Sequence, residues 1–396
     1  MTSRRRFLRA AMGLAAGGAV AGCADTAPRL APPIAVPASN VTTRRHLRPT
    51  AVHGGLREPA NRIGLRLGSA ISWMLFNGPQ RQAMLDVFAR DFNQATIHNG
   101  FYWMEWEPEQ GQINERALDQ TRREIAAMRA IGVTDLRGHP LIFPGYEPQW
   151  LAEGMRAGKF RRARLAEIMR QHIRQVMSLF GADIHEWVVV NEPYRFYGAT
   201  QGDYFKLILG EEYVDLAFET AREADVGARL LLNDWDNHGT RGLGGAYEGS
   251  GETVARNKAI VDRLKAKSLI DGIGLQVHLN AARPPRKQDM IDTMRGYGVP
   301  VHLTELDVNL KELRGAPAQR FEKQAQVYVD VVEAALESGV CESICIWEFG
   351  DQYSWLEQPW NRYGSPDADA TWLDDDLQPK PAYEAVRRAL TAWADR

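Results

Sequence analysis

Trp187-Val-Val-Val-Asn-Glu-Pro-Tyr194 and Val301-His-Leu-Thr-Glu-Leu-Asp-Val308 are two short apolar runs, rich in β-branched residues, that each stop at a carboxylate. Runs of this length and composition read as buried parallel strands. A buried strand does not end in a charge unless that charge is satisfied or used. Glu192 and Glu305 therefore predict two carboxylates facing one cleft. Scission of a glycosidic bond needs that arrangement: one carboxyl protonates the leaving oxygen and the other attacks or assists at the sugar carbon.

Outward from these two runs the pattern alternates. Strands are predicted at Ile63–Ile71, Gln94–His98, Val133–Gly138, Ile184–Val190, Ala228–Leu232, Gly272–Val277, Pro300–Thr304 and Ser343–Trp347. Helical periodicity fills the gaps at Gln80–Phe92, Ala117–Ile131, Arg161–Phe180, Tyr213–Ala224, Thr253–Ala266, Asp289–Tyr297, Ala318–Ser338 and Pro381–Trp393. Strands and helices alternating in this way predict the α/β class and a single (β/α)8 TIM barrel. A doubly wound sheet is the alternative, but no Gly-rich phosphate fingerprint follows an early strand. Barrel enzymes carry their chemistry at the C-terminal strand ends. Here those ends read His98-Asn99, His139, Asn191-Glu192, Asn233-Asp234, Gln276 and His278, Glu305 and Asp307, and Trp347-Glu348.

The bulk properties are those of a soluble globular chain: 396 residues, 44% hydrophobic, 25% charged, net charge −2. Interspersed charge gives no basic stripe for nucleic acid. Eleven tryptophans are many for this length, and exposed indoles are the usual platforms for sugar faces.

The N-terminus reads as an address, not as structure. Ser3-Arg-Arg-Arg-Phe-Leu-Arg9 fits a twin-arginine export signal. A short Gly/Ala-rich stretch follows and ends in Val20-Ala-Gly-Cys23, a lipobox pattern that makes Cys23 the expected lipidation site. The expected organisation is a signal peptide over residues 1–23, a Pro-rich linker over 24–60 and a catalytic barrel over 61–396. Localisation follows as periplasm or cell envelope, with membrane contact through the lipid anchor alone. Cys341 and Cys345 read as small strand residues, since a spacing of four suits neither a disulfide nor a zinc site.

At this point the chain resembles glycoside hydrolase family 10, the β-1,4-xylanase family of retaining barrel enzymes. The motifs run in order: Phe92-Asn-Gln-Ala-Thr96 and Glu107-Pro-Glu-Gln-Gly111, Leu136-Arg-Gly-His139, Val189-Val-Asn-Glu192, Leu231-Leu-Asn-Asp234, Asp271-Gly-Ile-Gly-Leu-Gln-Val-His278, Leu303-Thr-Glu-Leu-Asp307, then Pro379-Lys-Pro-Ala-Tyr383. Any one of them is weak; together they span about Leu65 to Leu390.

The resemblance implies Glu192 as acid/base and Glu305 as nucleophile. The apolar neighbours of Glu192 would raise its pKa by desolvation. His278 and Asp307 match the family's pair that supports the nucleophile. Asn191 would bind the 2-hydroxyl at the cleavage point. His139 and Gln276 would line the same subsite, with Trp347 as its floor and Trp355 as the second late tryptophan. Asn99, His98 and Tyr102 fall at substrate-binding positions after strand two. No cofactor and no metal are implied, and the expected partner is a β-linked polysaccharide or oligosaccharide bound by a monomer.

Plainer readings stand beside these. His139 can be a structural strand-end residue, Asn233-Asp234 can cap the strand-five turn, and Glu348 can pair with an arginine. Trp103, Trp106 and Trp187 read as core.

The chain departs from the family on one side of the site. The run Glu-Asn-Glu-Met-Lys-Trp becomes His98-Asn-Gly-Phe-Tyr-Trp103, so His98 and Tyr102 replace a glutamate and a lysine that grip xylose hydroxyls on the non-reducing side. Trp-His-Ser-Gln becomes Phe143-Pro-Gly-Tyr146. The expectation is weak action on plain xylan. The Gly-rich stretch Asn237–Ser250 reads equally as a mobile rim or as a solvated loop with no role. Alternatives are a β-glycosidase or transglycosylase on another β-linked glycoside, a carbohydrate-binding lipoprotein that does not cut, and a metal hydrolase built on His98, His139 and His278. The histidines lack recognisable ligand spacing for the last.

Overall fold

The structure is a computed structural model that describes residues 54–193, 203–240, 249–358, 361, 365 and 367–396. Tyr194, Cys23, the signal segment, the greater part of the 24–60 tether and residues 241–248 of the Gly-rich stretch lie outside the described residues.

The elements run in chain order as α1 (Arg57–Arg62), β1 (Arg66–Ala70), α2 (Trp73–Phe76), α3 (Arg81–Asp91), β2 (Gln94–Ile97), α4 (Trp103–Trp106), α5 (Glu115–Ala130) and β3 (Asp135–Gly138). Then come α6 (Gln149–Arg156), α7 (Arg162–Phe180), β4 (Glu186–Asn191), α8 (Tyr204–Leu209), α9 (Tyr213–Ala224), β5 (Arg229–Asp234) and α10 (Gly251–Ala266). The last group is β6 (Gly272–Leu275), β7 (His278–Asn280), α11 (Lys287–Gly296), β8 (Val301–Asn309), α12 (Pro317–Ser338), β9 (Cys341–Ile346) and α13 (Pro381–Ala394).

All pairings between these strands are parallel. β1 pairs with both β2 and β9, and β6 pairs with both β5 and β8, so the sheet closes into a barrel of eight strands. β7 pairs only with the outer end of β8. The predicted (β/α)8 barrel is therefore present. Two differences concern boundaries. β8 does not stop at Glu305 but continues to Asn309, because β7 gives its last residues a partner. Arg57–Ala60, inside the stretch read as a tether, is helical, and Leu56 and Ala60 bury fully.

α1 packs against α13, and Arg62 Nη2 donates to Ala394 O and to Asp395 Oδ1, both at 2.7 Å. Asp91 pins the same seam, accepting at Oδ1 from the Leu56 amide (3.1 Å) and the Tyr383 hydroxyl (2.7 Å).

The barrel floor is ionic. Register places Arg137, Glu186 and Arg229 side by side on β3, β4 and β5. The fully buried Glu186 accepts from Arg137 Nε at 2.7 Å, Arg66 Nη1 at 2.5 Å and Arg229 Nε at 3.1 Å. Across the barrel, Arg137 Nη2 also reaches Ser343 Oγ at 2.8 Å. On the opposite, outward face of the sheet Trp187 packs against Phe101, their rings 5.2 Å apart. A Cβ at Gly138 would meet the Trp187 ring at 2.3 Å, so only glycine fits beside it. Trp103, Trp106 and Trp187 are all core, as read from sequence.

Burial would raise the Glu186 pKa, but Arg137 and Arg66 outweigh it and hold the carboxyl well below the usual range. Its stabilisation is therefore present above about pH 4.3 and lost as pH falls further. Glu186→Gln leaves buried guanidinium charge uncompensated and is expected to destabilise by about 3–5 kcal/mol. Urea unfolding at pH 7 measures this; a loss under about 1 kcal/mol would contradict the role of the plug.

Candidate active site

At the C-terminal end of the barrel, strand register gathers the polar ends that the sequence pointed to. Asn191, Asn233 and Gly274 sit level on β4, β5 and β6. Gly274 is bare because a Cβ there would meet Asn233 Oδ1 at 2.2 Å. The Asn233 side chain uses that space. Its Nδ2 donates to Glu305 Oε1 at 2.7 Å and to Asn191 Oδ1 at 2.8 Å, while its Oδ1 accepts from Thr304 Oγ1 at 2.6 Å. Asn233 is thus no mere turn cap. Its strand-end position was the signal in sequence, but its partners, Glu305 and Thr304, lie on a distant strand.

Gln276 Nε2 donates to Glu192 Oε1 at 3.1 Å and approaches Asn191 Oδ1 at 3.4 Å. One run of amides therefore connects Glu192 to Glu305 through Gln276, Asn191 and Asn233. Asn191 accepts at Oδ1 from both neighbours, so Nδ2 is the group it can offer a substrate.

The other oxygen of Glu305 meets His278. Nε2 lies 3.2 Å from Glu305 Oε2, and Nδ1 lies 2.7 Å from Asp307 Oδ2. An ionised carboxylate can only accept, so a ring between two of them carries a proton on each nitrogen. Burial lowers the His278 pKa, but Asp307 and Glu305 outweigh it and raise the ring to about 10. Burial likewise pushes Glu305 up, and the His278 hydrogen bond, the neighbouring imidazoles and Asn233 pull it below the ordinary carboxylate value. Trp355 Nε1 donates to Asp307 Oδ2 at 2.9 Å, and its ring lies 4.8 Å from that of His278.

The backbone is bent to aim these groups. Glu192 has φ 50°, Val277 φ 60° and Glu348 φ 67°. A β-branched residue in the left-handed region is a genuine outlier, and such strain collects at sites that use it. Val277 separates Gln276 from His278, so its turn lets the former serve Glu192 and the latter Glu305.

The opposite wall is a set of rings. Trp347 lies 4.9 Å from His98 and 5.3 Å from His139. Tyr102 sits edge-on to both histidines and stacks on Tyr146 at 5.2 Å, which in turn stacks on Phe143 at 4.2 Å. Burial keeps both histidines neutral, with His98 lowered to about 3 and His139 to about 4. Burial raises Tyr102 well above its ordinary value, with Glu305 and Glu192 adding to it.

Asn99 Nδ2 donates to Ile71 O at 2.8 Å and to Glu124 Oε1 on α5 at 3.1 Å, so its amide nitrogen braces the wall and its Oδ1 is the group left for a substrate. A histidine metal centre does not fit either: both nitrogens of His278 are committed to carboxylates, and His98 Nε2 lies on Ile71 O at 3.1 Å. Of the Asn237–Ser250 stretch, the described ends are anchored: Asn237 Nδ2 donates to Gly274 O, and Thr240 donates to Asp289.

Comparison with known proteins follows the same lines. The family model for glycosyl hydrolase family 10 matches residues 55–389. An endo-1,4-beta-xylanase A of Humicola insolens is 33% identical over 310 residues, 76% of this chain and 75% of that protein. An endo-1,4-beta-xylanase A of Phanerodontia chrysosporium is 32% identical over 297 residues, 74% of this chain and 67% of that protein. A solved endo-1,4-beta-xylanase from Penicillium canescens aligns with TM-score 0.73 at 26% identity, covering 85% of this chain and 98% of its own. A glycosylated endo-beta-1,4-xylanase from Gloeophyllum trabeum aligns with TM-score 0.70 at 28% identity, covering 85% and 99%.

The His278 bridge carries a pH signature. A folded value near 10 against an ordinary value of about 6.5 means its stabilisation is complete below pH 6.5 and drains away as pH climbs to 10. The melting-temperature gap between wild type and His278→Gln is therefore expected to narrow by several degrees from pH 6 to pH 10. A gap that stays constant across that range would contradict the imidazolium bridge.

Proposed function

The chain belongs to glycosyl hydrolase family 10, and from that premise we propose that it is a retaining β-glycoside hydrolase that cleaves β-1,4-linked xylan or decorated xylo-oligosaccharides, with Glu192 as acid/base and Glu305 as nucleophile. The observation that carries this reading is the wiring of the Glu305 carboxyl. Glu305 is buried yet kept ionised by Asn233 on one oxygen and an imidazolium on the other. Glu192 accepts from the Gln276 amide, and the run of amides through Asn191 and Asn233 joins the two carboxyls.

In the first step a Glu305 oxygen bonds to the anomeric carbon while the bond to the leaving oxygen breaks and Glu192 gives that oxygen its proton. In the second, Glu192 takes a proton from water, the water oxygen bonds to the same carbon, and Glu305 leaves as carboxylate. Negative charge is drawn out of Glu305 as it attacks and returns as it leaves. The His278–Asp307 pair holds a compensating proton throughout, so no water has to reorganise around it. Asn191 Nδ2 is placed for the sugar 2-hydroxyl, a contact that strengthens in the transition state. Trp347 forms the floor beneath the ring.

A second reading keeps the chemistry and changes the substrate. The wall of Tyr102, Phe143 and Tyr146 stands where charged and amide side chains grip xylose in the resembled family. It favours a β-linked glycoside other than plain xylan, acted on by hydrolysis or transglycosylation.

The N-terminal readings join this proposal. Twin-arginine export and lipidation at Cys23 would place the enzyme in the periplasm or cell envelope, working as a monomer on polysaccharide or oligosaccharide. Their support is Ser3–Arg9 and Val20–Cys23. Growth of the source or a twin-arginine-competent host on radiolabelled palmitate should label the wild type and spare Cys23→Ser; label retained in Cys23→Ser would refute the anchor.

Catalysis is checked by following fresh products by proton NMR on xylan, glucuronoxylan, arabinoxylan, xylo-oligosaccharides and mixed-linkage glucan. The wild type should release the β-anomer first and Glu305→Gln should release none. Glu192→Gln should lose about 10²–10⁴-fold in turnover where the leaving group needs protonation. Initial release of the α-anomer, or activity persisting in Glu305→Gln, would sink the assignment.

A further inference from the structure

Asp307 Oδ1, His98 Nδ1 and Glu348 Oε2 are buried atoms of the site with no hydrogen-bond partner among the described residues, and the last two belong to residues that adjoin Trp347, one by ring contact and one in sequence. His98 offers Nε2 to a carbonyl, Ile71 O, at 3.1 Å, so that nitrogen carries the proton and Nδ1 is left as a bare acceptor. Nδ1 is buried and unpaired. Glu348 has Oε2 in the same condition. The two residues are brought together by two neighbours. Glu348 bonds the Ser72 side chain, which follows Ile71, and Glu348 itself follows Trp347, whose ring lies 4.9 Å from His98.

Three features say that this is built and not accidental. Unpaired buried polar atoms carry a desolvation cost, so each one that a site keeps calls for a use or an explanation. Glu348 holds φ 67°, a conformation that glycine adopts freely and a side chain does not. A glutamate has therefore been placed where backbone geometry argues for no side chain at all. The carboxyl is also uncharged at neutral pH: burial outweighs the Ser72 hydrogen bond and raises it to about 8. A protonated carboxyl donates and accepts, and burial keeps the adjoining His98 and His139 neutral. The chemistry left for a ligand is that of a neutral hydroxyl.

We propose that Glu348 is a substrate-recognising residue whose Oε2, with His98 Nδ1, reads the hydroxyls of an uncharged sugar unit bound on the non-reducing side of the unit being cleaved. The sugar hydroxyl donates to Nδ1 and exchanges a hydrogen bond with the Glu348 carboxyl, and Trp347 and Tyr102 supply the apolar faces. Because both atoms are shielded, the sugar reaches them by displacing the Tyr102 ring that leans on His98. Glu348 and His98 thereby take over the grip that an ionic pair provides in the resembled enzymes, and a neutral pair selects a neutral sugar. This inference rests on the glycosidase reading of the same cleft.

The test uses full-length protein carrying Glu305→Gln, so that ligands are bound and not turned over. Xylobiose and xylotriose binding is measured by calorimetry in this parent, in E348G and in E348Q. E348G suits the left-handed backbone and should melt at or above the parent temperature while binding about ten- to a hundredfold more weakly. E348Q keeps a neutral donor and acceptor and should bind within about threefold of the parent. With active enzyme, E348G should lose kcat/KM on an aryl β-xylobioside and keep it on an aryl β-xyloside, which has no second sugar to read. Unchanged binding in E348G, equal weakening in E348G and E348Q, equal losses on the two aryl glycosides, or no binding of either oligosaccharide by the parent would each overturn the assignment. Failure of the wild type to cleave any β-glycoside would instead defeat the glycosidase reading, and the binding series would still decide the role of Glu348.

Discussion

Everything at the mouth of this barrel answers to one electrostatic problem: a carboxylate must stay charged where burial favours its neutral form. The hydrogen bond between His278 and Glu305 is the solution, and it cannot stand alone. An imidazole beside one carboxylate could sit in either tautomer; Asp307 on the other nitrogen forces the doubly protonated ring. Asp307 is in turn held by Trp355. The second oxygen of Glu305 takes the Asn233 amide, which Thr304 orients and which Gly274 makes room for. The left-handed Val277 is the backbone cost of letting neighbours two residues apart serve different carboxyls.

The two ends of the barrel divide the work. Both hold buried carboxylates, and both keep them ionised, but by different means. At the floor, Glu186 is locked by guanidinium groups that never titrate in the working range, a permanent plug. At the mouth the counter-charge is an imidazolium and amides, groups that orient a carboxylate without tying up its lone pairs in bidentate clamps. On the outward face of the sheet Trp187, beside Gly138, packs against Phe101 and ties the strands to the helix layer.

The long elements were legible because periodicity and length are local properties. Tyr213–Ala224 and the starts of β2 and β6 fall where the pattern put them. The short helices α2, α4, α6 and α8 were not visible, since one or two turns leave no periodic trace and are held by what they pack on. In the site, Glu192, Glu305, His278 and Asp307 stood out as charges at the ends of apolar runs. The partners of Asn233 and Asn99 were not legible for a common reason: an asparagine at a strand end looks the same whether it faces a carboxylate across the barrel or the wall behind it. Val277 and Glu348 were unreadable in their key property. Backbone handedness at a non-glycine residue has no signature in composition, and Glu348 drew notice only as a carboxylate after a tryptophan.

The seam between α1 and α13 has a topological consequence. With Arg62 holding Ala394 O and Asp395, the two ends of the folded unit lie side by side, away from the strand ends that form the mouth. A closed barrel has no privileged first strand, so its order of connection is a convention of where the chain happens to be open. A few residues bridging Arg396 back to the start of α1 would make the backbone a ring, and a new opening in an exposed helix–strand turn would leave each strand between the same neighbours. Circularly permuted versions of the barrel should therefore reach the same fold, with α1 and α13 joined and each strand still between its own two neighbours.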